Sequence, residues 1–400
     1  MRVGVIGAGA AGLFVSGLLS KNGHEVTLFD KNEKVGKKLF ITGKGRCNLT
    51  NFCEADEFLK NVVRADKFLR SAIYNFSSAD AVEYFRNLGL KTKVERGNRV
   101  FPESDKSSDV IKALQKHCND VEMKLQCEVV DVAKKEDTFL ITTKSASFEF
   151  DRVIVATGGK SYKSTGSDGF GYKIAKKFGH EIIPLVPALC AIKLKDSFIS
   201  QLQGVSLKNV QLNVVADGKK NSYFGEMIFT DCGISGPIVL TASSYINRAN
   251  DIKLSLDFKP ALSEQQLDAR ILRDIEENKN KDLKNILKGL LPKAVADIFS
   301  KVAKVDENKK NNSITKEERN KIVETLKNFP LNFNGLYDID TGIVTSGGVN
   351  TKEINPKSFE SKLVSGIYFI GEVLDVDALT GGFNLQICWS SAYSCAKNFD

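Results

Sequence analysis

The chain has 400 residues and a mass of 44.0 kDa, with 42% hydrophobic and 26% charged residues and a mean hydropathy of -0.18. This composition excludes a disordered, fibrous or membrane-embedded protein, and at roughly 150 residues per unit the length holds two or three packed units. Lys and Arg total 57 against 49 Asp and Glu, a formal charge of +8 that favours anionic partners without naming one.

From the N-terminus, the run Val3 to Ser20 carries no charge and is long enough to resemble an export signal or a membrane span. Gly4, Gly7, Gly9, Gly12 and Gly17 interrupt it at turn-forming positions, so a retained, folded N-terminus is expected, in a cytoplasmic protein with no membrane segment. Arg2–Ile6 reads as a buried strand, Leu13 to Lys21 as a helix and Glu25–Phe29 as a second strand ending at Asp30. Between them lies Gly7-Ala8-Gly9-Ala10-Ala11-Gly12, a dinucleotide fingerprint in a strand–turn–helix–strand context. Gly7 permits the turn and Gly9 lets backbone approach a pyrophosphate. Gly12 lets the helix pack closely, while amides around Ala10 and Ala11 open its N-terminus to the phosphates. Asp30 stands 23 positions after Gly7, at the offset of a carboxylate that binds ribose hydroxyls and repels a 2′-phosphate. The ligand is then NAD or FAD, and the fingerprint alone does not choose.

The eight cysteines are scattered without a C-x-x-C pair or zinc-ligand spacing near the three histidines, so neither a metal site nor a disulfide framework is expected. Five residues separate Cys47 from Cys53, where flavin disulfide reductases place four. His24, His117 and His180 read as structural.

Strands are expected around Val129 to Val132, Phe139 to Thr143 and Asp151 to Val155, the last running into Ala156-Thr157-Gly158-Gly159. Residues 191–194, 210–215, 222–228 and 252–258 read as an antiparallel unit, and 263–329 as helical, with an apolar stripe at Leu287, Leu290 and Leu291. A late strand, Gly366 to Ile370, ends in Gly371-Glu372, and a helix begins near Asn384 and runs through Ala396. Two glycine-ended strands so far apart converge on one dinucleotide only if the nucleotide domain is interrupted. The expected organisation is therefore a discontinuous domain of 1–187 and 331–400, an inserted β-rich domain at 188–262 and a helical cap at 263–330.

Gly36-Lys37-Lys38 and Thr42-Gly43-Lys44-Gly45-Arg46-Cys47-Asn48-Leu49-Thr50-Asn51 narrow this further. They are joined by Thr157 to Tyr162, Thr165 to Gly169, Phe229 to Pro237, Thr345-Ser346-Gly347-Gly348-Val349 and Gly371 to Gln386. In order along nearly the whole chain, these resemble the BaiN/RdsA-type (YhiN-like) FAD-dependent oxidoreductases, a family of two-dinucleotide-binding-domain flavoproteins. Lys44 departs from a frequent glycine of the family and Asp231 from a frequent histidine.

The resemblance implies an α/β fold, a Rossmann-like FAD-binding domain of central parallel sheet, helices and a small antiparallel sheet, interrupted by the insertion. It implies FAD contacts at Lys31, Lys38, Gly43, Gly45 and Arg46, at Val129, and at Ala156, Thr157 and Gly158. At the C-terminal end the implied contacts are Gly371, Glu372, Asp375, Gly381, Gly382, Asn384 and Leu385, with the helix near Asn384 offering its positive end to reduced flavin. Arg46, Cys47 and Asn48 are the implied catalytic loop, and two readings of Cys47 stay open: a proton donor, or a thiol that packs beneath the ring.

A second G-x-G-x-x-G is absent, since Ile174 takes the third glycine's place after Gly169-Phe170-Gly171, so NAD(P)H is expected as a transient reductant. The implied reaction is reduction of a conjugated C=C bond by hydride from reduced flavin, with uridine in 23S ribosomal RNA as favoured substrate and dihydrouridine as product. The rivals are a small-molecule reductase or oxidase acting on an enone such as a 3-oxo steroid or on an amine, and an FAD-stabilised RNA-binding or assembly protein without chemistry. Lysines cluster at 31–44 and again at 279–310, where solvated faces and an RNA surface are both consistent with the charge. Oligomeric state is not legible.

Overall fold

The computed structural model describes residues 1–399. The chain divides into two compact units, Met1–Ala188 with Asp338–Asp400, and Leu189–Tyr337.

The first unit is built on a five-stranded parallel sheet ordered Ile367–Phe369, Arg152–Val155, Arg2–Ile6, Glu25–Phe29, Glu122–Lys124. Four of its strands are short and mostly apolar because both faces are covered, with Val3, Val5, Leu28, Ile154 and Phe369 fully buried, whereas the edge strand Glu122–Lys124 is polar and unburied. Arg2–Ile6 lies in the centre with crossovers to both sides, so its C-terminal end is where strand order reverses and a ligand crevice opens. Two strands more than 200 residues apart in sequence, Arg152–Val155 and Ile367–Phe369, pair in register there through Val153 with Ile367 and Val155 with Phe369.

Helix Ala10–Lys21 packs beside the C-terminal helix Phe383–Lys397, which is buried along most of its length. Phe14 stands in an aromatic group with Phe76, Phe85, His117 and Trp389. The Trp389 Nε1–H donates to Leu49 O at 2.9 Å, tying the C-terminal helix to the loop at Cys47. A three-stranded antiparallel sheet, 129–150, feeds the Arg152–Val155 strand, and a second one joins Thr50–Asn51, Arg99–Pro102 and Thr92–Glu95.

The second unit is a seven-stranded antiparallel sheet with helices Pro237–Ile246, Glu264–Glu277, Leu283–Leu290, Lys293–Ala303 and Lys316–Lys327. Leu212 and Leu256 of the sheet share one core with Leu267, Leu287 and Phe299 of the helices. Among the described residues no helix is long and apolar enough to cross a membrane.

Candidate functional site

At the end of the Arg2–Ile6 strand the chain turns at Gly7, whose φ of 106° only glycine adopts without strain. Helix Ala10–Lys21 then starts hard against the turn. Gly9 caps it with no side-chain cap bond, and a Cβ on Gly9 would meet nothing within 4 Å. The amides at Ala10 and Ala11 and the positive end of the helix therefore open onto free space beside the turn, the arrangement that receives a phosphate.

Asp30 closes the other side. Its Oδ2 accepts the Ala8 N–H at 2.7 Å and its Oδ1 the Asn32 N–H at 2.8 Å. Cys127 N–H donates to Asp30 O at 2.9 Å, which brings the strand beginning at Val129, itself buried, alongside. Lys31 turns away to pair with Asp168 at 2.7 Å.

The Ala156-Thr157-Gly158 turn sits beside the first one, with Ala156 N–H donating to Ile6 O at 2.9 Å and Gly158 at φ 72°. Thr157 Oγ1 is buried and has no hydrogen-bond partner. Asn48 Oδ1, in the glycine loop, is in the same condition. Buried polar atoms without partners are costly in a folded chain, and both lie on segments the fingerprint and its companions mark for the dinucleotide. With the open space at Gly9, they fit a bound FAD.

Gly371, at φ 71°, comes so close to the helix start that a Cβ on it would stand 3.0 Å from Ala11 Cβ. The neighbouring Glu372 is held by protein groups: Lys38 Nζ at 2.8 Å, Thr345 N–H at 3.0 Å and Ser161 Oγ at 3.3 Å. Asp375 takes a two-pronged bond from Arg64, 2.7 Å on each oxygen. Both carboxylates thus brace the site's walls. Gly381 and Gly382 have φ of 125° and 101°, and Asn51 Nδ2 donates to Gly381 O at 3.1 Å. Asn384 locks the preceding loop by accepting from Ala378 N–H at 3.0 Å and donating to Ala378 O at 2.7 Å. Leu385 is half-buried in the first turn of the Phe383–Lys397 helix, which, like the first helix, has no side-chain cap.

The loop from Gly43 to Asn48 is wound in left-handed backbone, with φ of 57° at Gly43, 58° at Lys44, 85° at Gly45 and 57° at Cys47. Lys44, which stands where the family often has glycine, adopts the glycine conformation and stays exposed. Arg46 lies 4.1 Å from the Phe101 ring centroid and pairs with Glu95 and Asp105. Its charge holds Glu95 below the usual carboxylate range, and Lys93 with Arg46 does the same for Asp105. Cys47 is fully buried, and burial pushes its thiol up to about 12, against a hydrogen bond to Thr42.

Sequence reasoning missed Arg64, Ser161 and Gln386, whose Oε1 accepts the buried Thr50 hydroxyl at 2.7 Å. Ser161 and Gln386 fall inside the quoted motifs and Thr345 opens one, but Arg64 carries no local signal. In the second unit, taken by itself, the Phe229–Pro237 motif brings Asp231, Cys232 and Thr230 around the Tyr337 hydroxyl at 3.1, 2.8 and 3.2 Å.

The family described as HI0933-like protein Rossmann domain matches residues 1–398. The chain is 32% identical over 403 residues to the ribosomal RNA dihydrouridine synthase of Escherichia coli, covering 98% of this chain and 96% of that one. It is 31% identical over 404 residues to the 3-dehydro-bile acid delta(4,6)-reductase of Clostridium scindens, covering 99% and 98%. A solved 3-ketosteroid-delta4-(5alpha)-dehydrogenase from Rhodococcus jostii RHA1 shares the fold, with a TM-score of 0.51 at 12% identity over 99% of this chain and 96% of that one. With a glycine turn, two uncapped helix ends and partnerless buried oxygens gathered in one unit, and relatives matched end to end, the chain belongs to the HI0933-like Rossmann family, of the BaiN/RdsA type, and is an FAD-dependent oxidoreductase.

Proposed function

We propose that FAD is held with its pyrophosphate against Gly9, Ala10 and Ala11 and a ribose at Asp30, and that the enzyme reduces a conjugated C=C bond, uridine of 23S ribosomal RNA being the favoured substrate. The observation that carries the binding mode is the open space at Gly9, on a helix end that no side chain caps. Thr157 Oγ1 and Asn48 Oδ1 are free to bond the ligand from two further segments.

When bound, FAD supplies the hydride that an electron-poor carbon accepts. The chain's own part is to bind, orient and neutralise. The uncapped N-terminus of helix Phe383–Lys397, after Gly381 and Gly382, favours negative charge on a ligand placed before it. Lys38 and Arg64 keep Glu372 and Asp375 paired, so neither presents a free anion to the ligand. Arg46 and Asn48 sit on the loop we assign to the reactive edge, where Arg46 fixes the loop through Glu95 and Asp105. Cys47 supports that loop from beneath, because a fully buried thiol at about 12 is a weak acid at neutral pH.

The C5–C6 bond of uridine is conjugated to a carbonyl and becomes dihydrouridine by gaining hydride and a proton. The base has to leave its stack to reach a protein-bound cofactor. Two dihydrouridine synthases, 32% and 33% identical across 98% of this chain, support this substrate, as does the net charge of +8. A small-molecule enone such as a 3-oxo steroid is the second reading, favoured by the similarity to a bile-acid reductase. NAD(P)H is the proposed transient reductant and the cytoplasm the proposed compartment.

Quantifying dihydrouridine in ribosomal RNA from wild-type and deletion strains decides the substrate: loss on deletion is expected, and unchanged modification rejects it. Anaerobic mixing with NADH and with NADPH should bleach the flavin, and a flavin that no donor bleaches would reject the reductant.

A further inference from the structure

The hairpin formed by Thr92–Glu95 and Arg99–Pro102 braces the loop of the site through Glu95 and Phe101, which hold Arg46, and its turn and outer face have no part in that bracing. The Arg99–Pro102 strand pairs with Thr50–Asn51, through Thr50 with Val100 and Asn51 with Arg99. Asn51 Nδ2 spans the two, donating to Gly97 O at the hairpin turn at 3.0 Å and to Gly381 O at 3.1 Å. One side chain therefore bonds both the turn and the glycine loop that opens the C-terminal helix.

The turn Arg96-Gly97-Asn98 is tight, with φ of 77° at Gly97 and 56° at Asn98, and it is flanked by two exposed arginines, Arg96 in the turn and Arg99 at the start of the returning strand. Arg99 Nε donates to Arg96 O at 3.0 Å, which fixes its stem, and its guanidinium lies 5.8 Å from the Phe101 centroid. Neither Arg96 nor Arg99 forms an ion pair among the described residues, and the same holds for the exposed Lys44 and Lys106 on either side. Two of the nearby carboxylates, Glu95 and Asp105, are already taken by Arg46 and Lys93. From Lys91 to Lys106 the sequence holds five basic residues and three acidic ones, and Lys44 with Arg46 adds two more cations. Along the helical stretch Lys279, Lys284, Lys288, Lys309 and Lys310 each face a carboxylate within 4 Å, while Lys281, Lys301 and Lys304 form no ion pair among the described residues and have no exposed aromatic residue anchored beside them as the hairpin has in Phe52.

An exposed aromatic completes the surface. Phe52 is 47% exposed, and its N–H donates to Asn98 O at 2.7 Å, so its backbone is anchored at the turn. Unpaired arginines on a rigid turn beside an exposed ring are the components that hold a single strand, by phosphate contact and by base stacking.

We infer that this hairpin is the RNA-docking element: Arg96 and Arg99 grip the phosphodiester backbone and Phe52 stacks a base, setting the unstacked uridine toward the glycine loop at Gly381. The inference rests on the proposed RNA substrate and names the part of the chain that would select it.

The test measures binding of an unstructured fragment of 23S ribosomal RNA to the FAD-loaded enzyme by fluorescence anisotropy across a salt series. Each lost phosphate contact should reduce the salt slope by about 0.7 to 0.9. Arg96→Gln with Arg99→Gln is therefore expected to weaken binding about tenfold or more near 100 mM salt and to flatten the slope by about 1.5. Phe52→Ala should weaken binding with the slope unchanged. Arg96→Gln alone, which preserves the carbonyl that anchors Arg99, should give about half the slope change and guards against misfolding. Flavin content and the rate of reduction by NAD(P)H should stay at wild-type values in all three. If wild type binds RNA and the double variant binds equally well with the same slope, the hairpin assignment is overturned. If wild type itself shows no affinity for RNA, the RNA reading falls with it. If instead the double variant loses only its response to NAD(P)H, the arginines serve the dinucleotide's phosphates and the assignment is likewise overturned.

Discussion

A Cβ placed on Gly12 would stand 1.8 Å from the carbonyl oxygen of Gly7. The first helix can begin where it does only because residue 12 has no side chain, and the obstacle is backbone that cannot rotate away. Gly9, three residues earlier, faces the opposite condition, with nothing within 4 Å of a Cβ.

Alanine at these two positions should accordingly fail in different ways. Gly12→Ala is expected to destabilise the protein by about 3 kcal/mol through the forced shift of helix against turn. Gly9→Ala should keep stability within about 1 kcal/mol while the purified protein loses its flavin, because the added methyl fills the space assigned to the pyrophosphate. Thermal melts and flavin absorbance separate them, and a Gly9→Ala protein that keeps its full flavin content would remove the pyrophosphate from that place.

Thr157 offers a second probe of the same cradle. Its hydroxyl is buried without a partner, so Thr157→Val should leave the flavin-free protein as stable or up to about 1 kcal/mol more stable. FAD affinity should fall about tenfold, the worth of one hydrogen bond. Titration of apoprotein with FAD checks this; equal affinity would mean that the hydroxyl does not bond the ligand.

Cys47 is assigned to packing. Cys47→Ala should cost about 1 to 2 kcal/mol for the small cavity and leave turnover within about twofold. A folded, flavin-loaded Cys47→Ala enzyme that has lost turnover would return the proton-donor role to the thiol.

His117 sets an acid limit on stability. It is buried, its Nε2 lies 3.1 Å from Phe14 O and its Nδ1 3.3 Å from the Tyr84 hydroxyl. Burial lowers its pKa to about 4, so the folded protein binds this proton less readily than the unfolded chain. The neutral ring's contribution is complete above the ordinary histidine value of about 6.5 and drains away as pH falls toward about 4, by roughly 3 kcal/mol in all. Denaturant melts at pH 7 and pH 4.5 should show the loss, and His117→Gln should reduce the difference. Gly17 is part of the same arrangement, since a Cβ there would lie 2.3 Å from the imidazole.

Much of the first unit was legible because its signals are local. Arg2–Ile6 and Glu25–Phe29 were expected as strands and are strands, and the expected helix from Asn384 to Ala396 spans Phe383–Lys397. Apolar runs, glycine at forced backbone positions and an acid at the end of the second strand each follow from chemistry within a few residues. The roles of Glu372 and Asp375 were not legible in this way. Both were assigned to the ligand on resemblance, and the structure ties them to Lys38 and Arg64, 334 and 311 positions away.

By itself, then, the sequence determined that a strand, a glycine turn and a helix would make a phosphate-binding end, because φ preference and side-chain periodicity act between neighbours. Only the tertiary structure decided which carboxylates remain free, that Cys47 is sealed from water and that Asn51 joins the cationic hairpin to Gly381. Desolvation and ion pairing depend on which distant segments are brought within a few ångströms, and no local pattern encodes that distance.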